Sequence, residues 1–293
     1  MADVRTGEIP DWYGEIFPKG PRQGFYQHLR NHPMVFVERR YTRLVVTFDN
    51  LSNVSDAAPD REPWAYKFCR DNDWSHLGIM AKTQNWYRDA ELVETLQEMA
   101  ARGFFSRFEE VFFAGTSMGG FAAIAFSSLS PGARVLAYSP QTTLDPALVP
   151  WEERFAAGRA QDWTLPHSDG AVEAAAAARV YIVYDPYVGP DRRHADRLTA
   201  PNVAHLKSFF SGHKSALFAR KIGILKPLMA DAADGSLDEA GFYAHYRKRK
   251  DIPWYLRRMS EALAERGKHD RIPLVTQTFR QRRRALAEAP GPS

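Results

Sequence analysis

The stretch Val111-Phe112-Phe113-Ala114-Gly115-Thr116-Ser117-Met118-Gly119-Gly120-Phe121-Ala122-Ala123-Ile124 limits the possible folds more than any other part of the chain. An apolar strand-like run enters a Gly-x-Ser-x-Gly turn and a small-residue helical run leaves it. A strand that turns this sharply into a helix must hold Ser117 in a sparsely populated backbone conformation. It must also bring helix and strand so close that Gly115 and Gly119 have no room for a Cβ. Such a turn lifts a hydroxyl clear of the backbone. A serine hydroxyl becomes a useful nucleophile only when it is so exposed and has a base beside it, which makes Ser117 the candidate nucleophile.

The remaining pattern alternates β-rich runs with helical ones. Residues 34–38 (MVFVE) and 44–48 (LVVTF) are two short strand-like runs joined by polar residues, and they predict a hairpin at a sheet edge. A third run spans 76–80. Asp89 then caps a helix in which Leu92, Leu96 and Met99 share one face and which Gly103 ends. Further strands are predicted at 134–139, at 179–185 (RVYIVYD) and from Ala204. Strands separated by helices predict an α/β fold with a mostly parallel central sheet flanked by helices.

Asp185 closes one of these strands, and Ser211-Gly212-His213 follows another, so serine, acid and histidine occur in that chain order. In this respect residues 34–225 resemble the α/β-hydrolase superfamily, whose nucleophile, acid and base sit on successive loops at the C-terminal edge of one sheet. The resemblance implies that Ser117 attacks, His213 moves the proton and Asp185 orients the imidazole. Asp191, six residues on in the same loop, and Asp145 remain alternatives for the acid. An oxyanion hole would use the Met118 N–H, with Asn50 or Leu51 supplying a second N–H from the loop after 44–48. Asp49 in that loop must then face away or pair with a cation such as Arg43, because a carboxylate in the hole would oppose a developing anion.

The sequence divides into an N-terminal extension (1–33), an α/β core (34–225) and a basic, mainly helical C-terminal extension (226–293). The core carries an insertion at 140–178 that holds Trp151, Phe155, Trp163 and Pro166, and it either caps the site or packs against the sheet. Trp86, Tyr87, Gln141 and Tyr187 fall near the expected opening. Their mix of aromatic and polar groups suits a small-molecule or saccharide ester.

Composition restricts the chemistry further. Cys69 is the one cysteine among 293 residues, which rules out an internal disulfide and a Cys-rich metal site; no metal or organic cofactor is expected. The sequence opens without the basic-then-apolar pattern of a secretion signal, and it contains no apolar run of the ~20 residues that cross a bilayer. A cytoplasmic protein is expected. The net charge of +4 conceals a basic tail, in which residues 247–293 carry thirteen Lys or Arg against five Asp or Glu. No nucleic-acid motif accompanies these charges, so they are expected to form a solvated helical face, with self-association or an acidic partner left open. The functional expectation is a serine hydrolase that cleaves an ester through an acyl-enzyme. An acyltransferase using the same residues on a saccharide or other alcohol, and a non-catalytic binding module, are the alternatives.

Overall fold

A computed structural model describes residues 10–54 and 61–288. Its eight strands are β1 (Gly24–Gln27), β2 (Met34–Val37), β3 (Arg43–Phe48), β4 (Ser75–Ile79), β5 (Glu110–Thr116), β6 (Arg134–Tyr138), β7 (Arg179–Tyr184) and β8 (Val203–Lys207). They form one sheet in the order β1-β2-β4-β3-β5-β6-β7-β8. β1, β2 and β4 pair antiparallel, and every pair from β4 through β8 is parallel.

This order corrects the expected hairpin. β2 and β3 do not pair with each other: β4 lies between them, antiparallel to β2 with Phe36 opposite Leu77 and parallel to β3 with Val46 opposite Leu77. The five polar residues between the two runs look like a hairpin loop, but a buried strand needs a neighbour on each side. All four residues of β2 and all five of β4 are buried. The sheet also begins earlier than residue 34. β1 supplies its edge, and Trp12 from a short helix at Asp11–Glu15 packs beneath it with Val35, Val37, Tyr66 and Met80.

Alternating side chains of the central strands feed two cores. Val46, Phe113, Val135 and Ile182 face the helices Ala90–Ala101 and Met118–Ala125. Val45, Phe112, Leu136 and Val183 face the helices Ser215–Lys221, Leu225–Asp234 and Glu239–Tyr246. Helical cover on this second face therefore continues past residue 225, since Leu228, Met229, Ala232 and Ala233 make an apolar stripe on the helix Leu225–Asp234. From residue 253 onward the character changes. The helices Pro253–Glu265 and Arg271–Glu288 have no buried residue among those described.

Candidate active site

The site lies at the C-terminal ends of β5, β7 and β8, where parallel strands present their following loops on one edge. Ser117 follows β5 directly and has φ 53° and ψ −117°, a conformation that non-glycine residues rarely adopt. Two hydrogen bonds hold it there: the Ser117 N–H donates to the Tyr138 carbonyl (2.8 Å), and the Ser117 carbonyl accepts from the Phe121 N–H (2.9 Å). The glycines are required by contact. A Cβ on Gly115 would sit 2.1 Å from the Gly119 carbonyl oxygen, and one on Gly119 would sit 2.5 Å from the carbonyl oxygens of Phe48 and Asp49.

Ser117 Oγ lies 3.0 Å from His213 Nε2. The other ring nitrogen, Nδ1, lies 2.8 Å and 3.0 Å from the two carboxylate oxygens of Asp191. Asp185, expected in that position, makes no bond to His213, and Asp191, the alternative, stands there. Its side chain is buried and points sideways along the sheet edge, where Oδ1 accepts from the Tyr187 N–H (3.0 Å) and Oδ2 from the Gly212 N–H (2.8 Å). Burial, partly offset by these amide bonds, raises its pKa. Asp185 thus ties the loop after β7 to the loop after β8, next to His213. Asp191 reaches the imidazole because the loop runs on into the helix Gly189–Asp196 and places it in the first turn. Asp145, the third alternative, caps its own turn through a 2.8 Å bond from the Ala147 N–H.

Strain recurs around this edge. Phe210, three residues before His213, has φ 67°, and Gly212 has φ 68°. Trp86 and Tyr87 have consecutive positive φ values of 50° and 56°. Ser139, directly after β6, has φ 43°, and these non-glycine positions, Phe210, Trp86, Tyr87 and Ser139, fit a site held against its local backbone preferences, whereas Gly212 adopts its φ freely.

The second proposed oxyanion donor comes from the loop after β3. The Asn50 N–H is already engaged, donating to Asn53 Oδ1 at 3.1 Å. The N–H groups of Leu51 and Met118 have no hydrogen-bond partner among the described residues. Asp49 turns away from the site, and its Oδ2 accepts from the Ala81 N–H (3.0 Å) and pairs with Arg61. The cation beside it is therefore Arg61 and not Arg43, which pairs with Glu110 and Asp234. Burial raises the pKa of Asp49 despite Arg61.

Two of the expected pocket residues are supports instead. Tyr87 is fully buried and donates its hydroxyl to the Asp49 carbonyl (2.9 Å), which anchors the loop after β3. Gln141 is fully buried and accepts from Trp86 Nε1 at 3.1 Å. Trp86, 1% exposed, packs on Phe155 (ring centroids 5.0 Å), which also lies 6.0 Å from the His213 ring and under the Arg154 guanidinium. Tyr187 alone of the four is exposed, lying against Phe210 and under the Arg266 guanidinium (4.7 Å).

Sequence reasoning missed Arg154. Its Nη1 donates to Asp191 Oδ1 at 2.8 Å, and its Nε and Nη2 grip Glu152. The signal available was a Glu-x-Arg pair inside an otherwise aromatic insertion, and nothing local says what it would face. Among the described residues no cluster of His, Cys, Asp and Glu could hold a metal ion.

No family model matches the sequence, and no curated protein matches it. Solved structures do. The chain is similar to MPT51 (FbpC1) of Mycobacterium tuberculosis at 16% identity and a TM-score of 0.50, over 73% of this chain and 99% of that one. It is similar to the capsule O-acetyltransferase of Neisseria meningitidis serogroup A at 11% identity and a TM-score of 0.47, over 70% and 93%. Carboxyl esterase 2 of the fungus Tuber melanosporum is similar at 12% identity and a TM-score of 0.45, over 78% and 87%. The likeness to MPT51 shows the fold alone, which is of the α/β-hydrolase type.

Proposed function

We propose that this chain is a serine hydrolase that cleaves an ester or related acyl bond, with Ser117, His213 and Asp191 as its triad. The observation that carries the reading is the unbroken relay from Ser117 Oγ through both nitrogens of His213 to a fully buried carboxylate. His213 takes the Ser117 proton as the hydroxyl attacks the acyl carbon. The resulting imidazolium, held by Asp191, returns that proton to the leaving alcohol as the acyl-enzyme forms. Water, activated by the same imidazole, then releases the acid. The Met118 N–H, with that of Leu51, is assigned to the tetrahedral oxyanion, because both are uncommitted donors beside the elbow. No cofactor enters the steps.

Transfer of the acyl group to an alcohol, saccharides included, would use the same groups and differs only in what reaches the acyl-enzyme. The test is labelling by a fluorophosphonate probe with turnover of p-nitrophenyl acetate. Labelling and turnover by the wild type, both lost in Ser117→Ala, are the expected result. An unlabelled, inactive wild type would leave a binding module on the same fold.

A further inference from the structure

The insertion 140–178 approaches the acid and the base with adjacent residues, in a manner that neither a lid nor simple packing requires. Glu152 and Asp191 are both fully buried as side chains, and Arg154 lies between them with 28% of its side chain exposed. Its side-chain hydrogen bonds all go to the two buried carboxylates, Nε to both Glu152 oxygens (2.9 and 3.1 Å), Nη2 to Glu152 Oε2 (2.6 Å) and Nη1 to Asp191 Oδ1 (2.8 Å), and its guanidinium lies over the Phe155 ring (5.0 Å). Three of its five N–H groups are spent on these two buried carboxylates.

Glu152 makes a second contact on the same helix that carries Asp191. His194 Nε2 lies 3.1 Å from Glu152 Oε2. Its Nδ1 lies 3.1 Å from the Thr142 N–H, a group that can only donate, so Nδ1 is unprotonated and Nε2 carries the hydrogen given to Glu152. Asp191 and His194 are three residues apart, on one face of the helix Gly189–Asp196. Glu152 and Arg154 therefore grip that helix at two points one turn apart, while Phe155 packs on the His213 ring.

We propose, on the basis of the triad reading above, that Arg154 is a positioning residue that fixes the Asp191 carboxylate for His213 and, with Glu152, sets the charge of the buried pair. With His213 neutral, the buried group of Glu152, Arg154 and Asp191 carries one net negative charge, and proton transfer to His213 brings it to zero. Removing Arg154 alone leaves two uncompensated carboxylates. Removing Arg154 and Glu152 together preserves the charge count but frees the acid. Loss of aim without loss of charge should lower kcat and leave substrate binding alone, since a displacement near 1 Å costs about 10²-fold.

The experiment measures p-nitrophenyl acetate kinetics of Arg154→Met, Arg154→Lys and the double variant Arg154→Met with Glu152→Gln, with the folded fraction followed by circular dichroism. In the double variant kcat is expected to fall about 10- to 100-fold with KM within about twofold. Arg154→Lys, which restores a cation without the fork, should recover part of the loss seen in Arg154→Met. A double variant with wild-type kcat, or a loss that only tracks unfolded protein, overturns the proposal. A wild type that neither turns over the ester nor takes the fluorophosphonate ends the triad reading as well. An active wild type with an unaffected double variant ends this inference alone.

Discussion

Two segments border the Ser117 edge, and they are built in opposite ways. In the insertion, Glu152 is fully buried and its charge is answered inside the protein by Arg154 and His194. In the hairpin of the helices Pro253–Glu265 and Arg271–Glu288 the charges face water; Arg258 pairs with Glu261 and Arg282 with Asp251 at the surface. Yet the hairpin also touches the site loops, with Tyr255 against Phe210 (5.5 Å) and Arg266 over Tyr187. The difference shows which neighbour can position the chemistry. A charge out of water is strongly oriented by its partner, whereas exposed pairs contribute at most about 1 kcal/mol and are screened by salt.

The largest effect should separate two carboxylates of one loop. Asp191→Asn is expected to lower kcat by about 10⁴-fold, as befits a group that holds the base in its working tautomer. Asp185→Asn keeps an oxygen able to accept one of the two amide bonds and should cost about tenfold, the weight of a single hydrogen bond. Steady-state kinetics of both variants decide this, and a larger loss at Asp185 would reverse the assignment of the acid.

Next comes acid sensitivity, in which buried groups of the core and the insertion take the main part. Burial chiefly lowers the pKa of His32 to about 4, of His76 to about 3 and, in direction, of His194. Burial works against ionised Glu152, but bonds from His194 and Arg154 prevail and hold its carboxyl at about 2. For each group the unfolded chain takes up a proton at a higher pH than the folded one. The histidines' contribution is thus intact above about 6.5 and lost as pH falls toward 4 and 3, and that of Glu152 is lost below about 4.5. Denaturant unfolding should show stability falling as pH drops below about 6.5, by at most about 1.4 kcal/mol per pH unit for each of His32 and His76. An NMR titration in which the His32 and His76 rings take up a proton near 6.5 would mean that they are not held neutral.

The smallest effect is expected at the hairpin. A chain ending after Lys268, without the helix Arg271–Glu288, should keep kcat within about twofold and lose little stability, because that helix buries no described side chain. A marked fall in kcat would give the hairpin a part in the site and erase the contrast with the insertion.

Much of this was legible from residue order. The run into Gly115, the helix capped by Asp89 (whose Oδ1 accepts the Leu92 N–H at 3.3 Å) and the strands before 139 and 185 all depend on neighbours a few positions apart, where periodicity and backbone sterics act. What was not legible depends on distance. β2 and β3 adjoin in sequence but are parted by β4, more than twenty-five residues on. Tyr87 and Gln141 have side chains suited to a pocket and were expected there, but tertiary contacts place them behind the loops that they brace.

The sequence by itself determined the turn at Ser117, since only glycine at 115 and 119 permits that approach, and with it a strand-to-helix layer and the order of serine, acid and histidine along the chain. Tertiary structure decided which aspartate meets His213. Asp185 and Asp191 are chemically alike and six residues apart, and one turn of helix, an amide from Gly212 and a guanidinium from residue 154 divide them into a brace between loops and the imidazole's partner. Such a choice depends on the direction in which each carboxylate points and on what desolvates it, and both are set by segments remote in sequence.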